Sequence, residues 1–450
     1  MGSILEPPIS ILEQFLLDNS GVDFVWVHFM PYTANTLVRM LPISTFVHLI
    51  KENGLLSFPK VAFFVAPGDR IAEGGSLCGN FYLRPDLTSI YLQPGSNGTR
   101  ATIRTYSVKK DGNPIPECPK AKLKDLYAIL QQELYELDVT ALVGFEIEVV
   151  FLKHSCCNGR SEYKILNNEH AFSEVTAENY EFLDLIESIS RELTALGVPL
   201  QQFHAESAPG QWEFVLPPFS PLESVTVLLK ARDTIMAVAR SFGYRATLHP
   251  RLMPGQSGTG CHTHISINST QNDSKKRIES FFAGIIYHLP SVLAFTLPQE
   301  VSYERVKPGI WSGGEYAAWG WENRETPLRR IGLTHFEVKL VDGLANPYLA
   351  LCALFAAGID GIRSGLPLTG GNCPKAPEEL SVDERHQLGV EVRLPKTLQD
   401  SLDALEKNTR LYELMGAPII STYTTVKRGE MKELREMSTE ARQNYLISRY

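Results

Sequence analysis

Basic charge is scarce in this chain, and so are long apolar runs and ordered cysteine motifs. The longest basic run is Lys275-Lys276-Arg277, in a polar stretch that reads as a surface loop, and the formal net charge is −8. Nucleic acids and anionic membranes both demand basic patches, so neither is expected as a partner. The seven cysteines, Cys78, Cys118, Cys156, Cys157, Cys261, Cys352 and Cys373, are odd in number, scattered and without a CxxC spacing. That pattern predicts reduced cytosolic thiols, with adjacent Cys156 and Cys157 inert in a polar loop. The most apolar window, Tyr348 to Ile362, carries Asp360 and is shorter than the roughly 20 residues a membrane span needs. The opening Met1-Gly-Ser-Ile-Leu-Glu-Pro-Pro8 lacks the basic n-region and apolar stretch of a secretory signal, and the serine or threonine of a myristoylation motif. A cytoplasmic location is the resulting expectation. No internal repeat, P-loop or kinase signature is found.

What the chain does have is 450 residues, 44% of them apolar and 21% charged, the range of soluble globular proteins divided into two or three domains. A short amphipathic helix is predicted near Ile9 to Leu17. Strands follow at Phe24–Phe29, Val61–Val65, Ser89–Leu92 and Ala101–Tyr106, with one helix near Ile43 to Glu52. The turn-rich Asp111-Gly-Asn-Pro-Ile-Pro-Glu-Cys-Pro119 marks a boundary, giving a small mixed α+β domain over residues 1–112 and a larger one over 113–450. Apolar spacing predicts helices over 120–137, 179–196 and 221–242. Asn346-Pro347 at one end and Gly365 at the other bracket a further helix, and Leu398 to Tyr450 is helical and charged.

The chemistry lies between these helices. Glu146 and Glu148 stand two apart in Gly144-Phe-Glu-Ile-Glu-Val-Val-Phe151, so on a strand both face one side while Phe145, Ile147, Val149 and Phe151 face the other. Glu206 and Glu213 bracket Pro209-Gly210, and a hairpin there would bring them together. His262, His264 and Ser266 share a face after glycines 255, 258 and 260, whose backbone could approach an anion. Arg324, Arg329 and Arg330 follow Trp319-Gly-Trp-Glu-Asn323, and Glu337 and Lys339 share another strand face. Each group taken singly also reads as a solvated strand face or basic patch. Acids converging on one face require a cation, and carboxylate oxygens with an imidazole suit Mg²⁺ or Mn²⁺. With arginines nearby, the set describes a phosphoryl-transfer site.

The order of these motifs resembles the glutamine synthetase superfamily, class I-like, over nearly the whole chain. The matching elements are Glu-x-Glu, Glu-(x)6-Glu, Gly-x-Gly-x-His-x-His-x-Ser, Asn-Arg-(x)4-Arg and Glu-Val-Lys…Asp-(x)3-Asn-Pro-Tyr. Trp311-Ser-Gly-Gly314 and Trp319-Gly-Trp-Glu-Asn-Arg-Glu-Thr-Pro-Leu-Arg329 look most like its nodulin/FluG-type branch. The resemblance implies an N-terminal β-grasp-like domain and a catalytic domain built on a curved antiparallel sheet with flanking helices. It implies homo-oligomers with active sites between subunits, ATP as co-substrate, and two or three Mg²⁺ or Mn²⁺ per site. Glu148, Glu206 and Glu213 would hold the metal nearest the carboxylate substrate; Glu146, His262 and Glu337 would hold that at the nucleotide phosphates. His264 and Ser266 would line the nucleotide. Arg305 and Gly258 would hold the amino acid, and Arg324 and Arg329 would steady the transferring phosphoryl group.

Departures from the family pattern gather at the amine half. Where the family carries Pro-Gly-Tyr-Glu, with a flap glutamate, this chain has Pro308-Gly-Ile-Trp311, and Glu315 is displaced. Glu73-Gly-Gly-Ser76 replaces the Asp-Gly-Ser-Ser that helps bind ammonium. Lys339 replaces an arginine near the acyl group, Ser257 replaces an asparagine at the amino acid, and the adenylylation tyrosine has no counterpart near Pro374 to Glu384. An apolar pocket suits an alkyl or aromatic amine better than ammonium. The expectation is therefore an ATP-dependent carboxylate–amine ligase that forms an amide, γ-glutamyl by resemblance, through an acyl phosphate, with an amine larger than ammonia. The alternatives are an ordinary glutamine synthetase, or a catalytically weak scaffold or regulatory member.

Overall fold

A computed structural model describes residues 8–450 except 158–159, 167–170, 178, 272–274 and 370. The first 110 residues build a five-stranded sheet ordered Leu37–Pro42, Phe24–Phe29, Arg100–Val108, Asn80–Leu92, Leu56–Pro59. Phe24–Phe29 runs parallel to Arg100–Val108 and the other pairings are antiparallel, the mixed arrangement of a β-grasp. Helices Pro8–Asp18 and Ile43–Lys51 lie on it, burying Leu12 and Phe46 against Val25, Val27, Ala101 and Ile103. The strand expected over Val61–Val65 is instead a 3-10 turn, Lys60–Phe63, leading into the two-residue strand Val65–Ala66. Consecutive Ala62 and Phe63 are both buried, which a strand with one open face forbids. Phe63 enters an aromatic cluster, 5.1 Å from Phe29 and 4.7 Å from Phe81.

The larger part is organised by one 19-residue strand, Val139–Cys157. It runs on through Cys156 and Cys157, where a polar loop was expected; the side chains of those two cysteines lie outside the described residues. On one edge it pairs in turn with Thr263–Ser269 and Tyr244–Thr247; along the other it pairs with Gln211–Val215 and then Arg160–Ile165. The resulting nine-stranded sheet reads Gln202–Ala205, Gln211–Val215, Val139–Cys157, Thr263–Ser269, His335–Val338, Leu328–Arg330, Trp319–Trp321 along its main path. Alternation decides its faces. Val143, Phe145, Ile147, Val149 and Phe151 are buried on one side, leaving Glu146 and Glu148 on the other. The central segment packs on helix Pro221–Ser241, which meets helices Leu183–Ala195 and Pro347–Ser364, within one apolar core that reaches from Phe29 to Tyr450.

Helix Pro347–Ser364 begins and ends as its sequence predicts. The Asn346 side chain accepts from the Tyr348 and Leu349 amides (3.1 and 3.3 Å), Pro347 opens the first turn, and Gly365 closes it at φ +60°. Its partner, Lys275–Thr296, gives no such signal. Lys275-Lys276-Arg277, expected in a loop, forms its first turn. Long and apolar enough to cross a membrane by composition alone, it has 83% of its apolar window buried inside the protein. A helix apolar all round shows no 3.6-residue stripe to read. The C-terminal stretch is four helices, 398–407, 409–415, 417–436 and 439–449, broken at Asn408 and at Gly416 with φ +90°.

The two apolar helices cross closely because glycines meet there. A Cβ on Gly284 would stand 2.2 Å from the Ala357 carbonyl oxygen and 2.8 Å from Gly361 Cα. Gly284→Ala therefore forces the crossing apart and lowers stability by about 1–3 kcal/mol. The urea midpoint reports this directly, and an unchanged midpoint would mean that the crossing yields without strain.

Candidate active site

Register places the polar residues of neighbouring strands in two rows on the open face of the large sheet. In the first, His204 lies opposite Glu213, and Glu213 opposite Glu148, across three strands. In the second, Gly144 lies opposite His264, His264 opposite Glu337, and Glu337 opposite Arg329, across four. Glu146 sits between the rows on the central strand. Its two carboxylate oxygens meet His262 Nδ1 (3.0 Å) and His264 Nε2 (2.9 Å). The Pro209–Gly210 hairpin forms as its sequence suggests, with Gly210 at φ +69° and the Glu206 amide bonded to the Gln211 carbonyl (2.9 Å).

These rows floor a cavity of about 660 Å³. Its walls include Glu146, Glu148, Glu206, Glu213, His262, His264 and Glu337, together with Ser257, Gly258, Arg305, Trp311, Arg324, Arg329 and Lys339. One strand position fails to join them: Ser266 lies opposite His335, accepts from the Asn268 side chain (3.2 Å), and is outside the cavity lining. Arg330 also separates from its neighbour. It turns to the other face of its strand, lies over the rings of Trp319, Trp321 and Phe336 at 4.9–5.4 Å, and pairs with Glu279 (2.9 Å). Glu315 is tied to Arg393 and Lys396 (3.3 Å each) away from the cavity lining.

Like charges registered opposite each other repel, and the site relieves this unevenly. Around Glu337 cations suffice. Lys339 Nζ donates to one oxygen (2.9 Å) and Arg329 to the other (3.0 Å), so its carboxyl falls to about 2: burial opposes ionisation, but Lys339 and His262 outweigh it. Glu146 lies well below its ordinary value, because the bonds from His262 and His264 outweigh burial. His262 is raised despite burial and Lys339, since Glu148 and Glu146 favour its charged form. At the other row the acids are undercompensated. Glu148 receives the Gly260 amide (2.6 Å) and Gln211 Nε2 (3.0 Å), both neutral donors. Burial raises Glu213, and burial plus the charges of Glu148 and Glu213 push Glu206 up to about 7. His204, bonded to Glu213 (3.2 Å), is pushed up to about 9.

Ligand atoms of His204, Glu206 and Glu213 lie within 4.8 Å of one another, as do those of Glu146, Glu213 and His262, and of Glu146, His264 and Glu337. Carboxylate oxygens with imidazole nitrogens match a hard divalent cation, and the elevated Glu206 marks where positive charge is short. Close packing preserves the geometry. A Cβ on Gly258 would come within 2.7 Å of the Arg305 side chain, and one on Gly260 within 2.7 Å of His262 Nε2. Arg305 is itself buried, donating to the carbonyls of Lys339 (2.8 Å) and Val341 (3.0 Å).

Sequence reasoning missed His204, Gln211, His335 and Phe172. The polar alternation of Gln202, His204 and Glu206 was a readable sign for the first, since all three line the cavity. Gln211 opens the strand that carries Glu213, and its position there reveals nothing of the bond to Glu148. His335, 2.9 Å from His264 Nδ1 and pushed down to about 4 by burial and by His264, is identified only by cross-strand register.

The metal-free site should make stability depend on pH. Between pH 4.5 and about 7 the folded chain keeps a proton on Glu206 that the unfolded chain releases, so stability falls as pH rises through that window. The loss amounts to as much as about 3 kcal/mol. His204 acts in the same direction higher up: its contribution is full below 6.5 and lost as pH rises through about 9. Thermal unfolding of metal-free protein should show this decline, Mg²⁺ or Mn²⁺ should raise Tm more at pH 8 than at pH 5, and Glu206→Gln should flatten both trends. Equal metal shifts at the two pH values would contradict a cation at these acids.

Residues 117–445 match the glutamine synthetase catalytic domain. Among curated proteins, Protein fluG of Emericella nidulans is 41% identical over 98% of this chain, which spans 50% of that protein's length. Gamma-glutamylpolyamine synthetase of Streptomyces coelicolor is 30% identical over 79% of this chain and 78% of its own. Among solved structures, the GmaS/ADP complex superposes with a TM-score of 0.80 over 99% of this chain and 100% of that one, at 22% identity, a likeness of fold. The catalytic-domain match covers well over half of the residues, and the chain belongs to the glutamine synthetase family of carbon–nitrogen ligases.

Proposed function

We propose that this chain is an ATP-dependent carboxylate–amine ligase that activates a carboxylate, the γ-carboxylate of glutamate by family resemblance, as an acyl phosphate and transfers it to an amine larger than ammonia. The observation that carries the reading is the division of one cavity into a cation-rich half around Glu337 and an acid-rich half around Glu206. Divalent cations held by Glu146, Glu148, Glu206, Glu213, His262 and Glu337 would neutralise the triphosphate and polarise its terminal phosphoryl group. Arg329, fixed by Glu322 (3.0 Å) and Glu337 (3.0 Å), presents a rigid guanidinium to that group. Arg324, in the turn after Trp319–Trp321, is exposed and makes no ion pair among the described residues, so it is free to close on phosphate. Arg305, Ser257 and Gly258 form the wall at which the amino acid would sit, and buried Lys339 lies beside them. Phosphorylating the acid replaces a poor leaving group with a good one before the amine attacks.

The amine preference rests on Trp311. An indole in the place of a flap carboxylate removes the group that would bind and deprotonate ammonium, and leaves an apolar surface. Assembly into a homo-oligomer with sites between subunits belongs to the same reading. Leu77, 77% exposed beside Glu73-Gly-Gly-Ser76, offers an apolar loop for such a contact.

ADP release with ATP, Mg²⁺, glutamate and a panel of amines tests the proposal, with products identified by mass. Larger amines should be turned over with higher kcat/KM than ammonium. Arg329→Ala should lower kcat by about 10²–10³-fold, as loss of a transition-state donor does. Turnover with ammonium alone would return the chain to ordinary glutamine synthesis. Metal titration of wild type against Glu213→Gln tests the other alternative: no divalent-dependent nucleotide binding in wild type would favour a scaffold.

A further inference from the structure

Trp311 holds a left-handed backbone, φ +57°, which a bulky residue adopts only when its surroundings compel it. What compels it is one carboxylate. Glu325 accepts from the Trp311 amide (2.6 Å) with one oxygen and from the Gly309 amide (3.0 Å) with the other. Glu325 is in turn placed by Asn323, whose side-chain oxygen accepts its amide (2.9 Å) and whose nitrogen donates to the Cys373 and Lys375 carbonyls (2.9 and 3.0 Å). At the loop's base, the Ser312 hydroxyl bonds both the amide and the carbonyl of Lys307. The tip of the 308–312 loop is thus pinned to the turn that also carries Arg324.

The Trp311 ring meets Phe172 edge-on at 6.2 Å, and Phe172 meets His204 edge-on at 5.5 Å. Phe172 and Trp311 are each 53% exposed although both line the cavity. Two half-covered rings, presented by separate loops above an acidic floor, form an apolar wall that the protein leaves open. Such a wall suits an amine carrying a flat apolar body, with its nitrogen directed toward the acids.

We infer that Phe172 and Trp311 together set specificity for an amine with a flat apolar body, and that Glu325 is a positioning residue that latches Trp311 into that wall. This rests on the ligase reading above. Two measurements separate the ideas. The first is KM and kcat for ATP, for ammonium and for alkyl and aromatic amines, in wild type, Glu325→Gln, Glu325→Asp and Phe172→Ala. The second is acrylamide quenching of Trp311 fluorescence, taken as the difference between each protein and its Trp311→Phe counterpart.

Glu325→Gln presents an amide nitrogen to one of two N–H donors. It should raise KM for the aromatic amine roughly fivefold to tenfold, the size of an ordinary net hydrogen bond, with KM for ATP steady and Trp311 more accessible to quencher. Glu325→Asp should restore part of both. Phe172→Ala should reduce the preference for the aromatic amine over ammonium while leaving the latch, and hence the loop, in place. Unchanged amine KM and unchanged quenching in Glu325→Gln overturn the latch, as does an equal loss of affinity for ATP and amine. An unaltered preference in Phe172→Ala overturns the wall. If wild type turns over no amine, the ligase reading and the specificity role fail together, and quenching alone still decides whether Glu325 holds the loop.

Discussion

Glu148 and Glu213 stand directly opposite each other on adjacent strands, and most of the site follows from that single pairing. Cross-strand neighbours on one face are too close for two carboxylates to ionise freely without relief. Relief comes partly from neutral donors, the Gly260 amide and Gln211, and partly from His204. The remainder appears as elevated acids at Glu206 and Glu213. The strand that carries Glu148 cannot slip to escape. Its other face buries Val143, Phe145, Ile147, Val149 and Phe151 against helices, and a one-residue shift would exchange those for acids. The hydrophobic core thus holds the acids in an arrangement they would not choose.

The same register separates two electrostatic environments a few residues apart. Glu337 and Glu146 lie among Lys339, Arg329 and two histidines, and both carboxyls are held low. Glu206 and Glu213 have one histidine between them. A site with all its acids neutralised internally would have little affinity for cations, and one with none neutralised would not fold. The division gives a cavity that is rigid on one side and short of positive charge on the other, the condition under which added cations bind with most effect.

Much of this was legible because it is local. The Glu-x-Glu alternation, the Pro-Gly hairpin and the Asn-Pro…Gly helix are each written within a few residues, and each formed as read. Non-local features were not. Phe172 belongs to no periodic element, and nothing in its neighbours announces that it will face Trp311 across 139 positions of chain. Residue type alone does not separate Arg329 from Arg330; the family motif picks out Arg329, and the strand sends the two to opposite faces. The helix Lys275–Thr296 escaped because burial on all sides erases the stripe by which helices are recognised. Val61–Val65 misled for the opposite reason, since an apolar run of five suits a strand and a tightly packed turn equally well.

Tryptophan in place of a flap acid invites the idea that the site has decayed, and the loop's own chemistry opposes it. A chain relieved of function has no reason to keep a bulky residue at φ +57°, where most side chains raise the energy by about 1–3 kcal/mol. Nor would it retain a carboxylate bonded to two amides of that loop, Gly309 and Trp311, to hold that residue there. Undercompensated acids at Glu206 and Glu213 oppose folding as well, and exchange to neutral residues would stabilise a mere scaffold. Strain in the loop and repulsion in the floor lie on opposite sides of one cavity. On the reading proposed above, cations would relieve the acids and the apolar body of an amine would cover the ring, so that one occupied cavity would answer both.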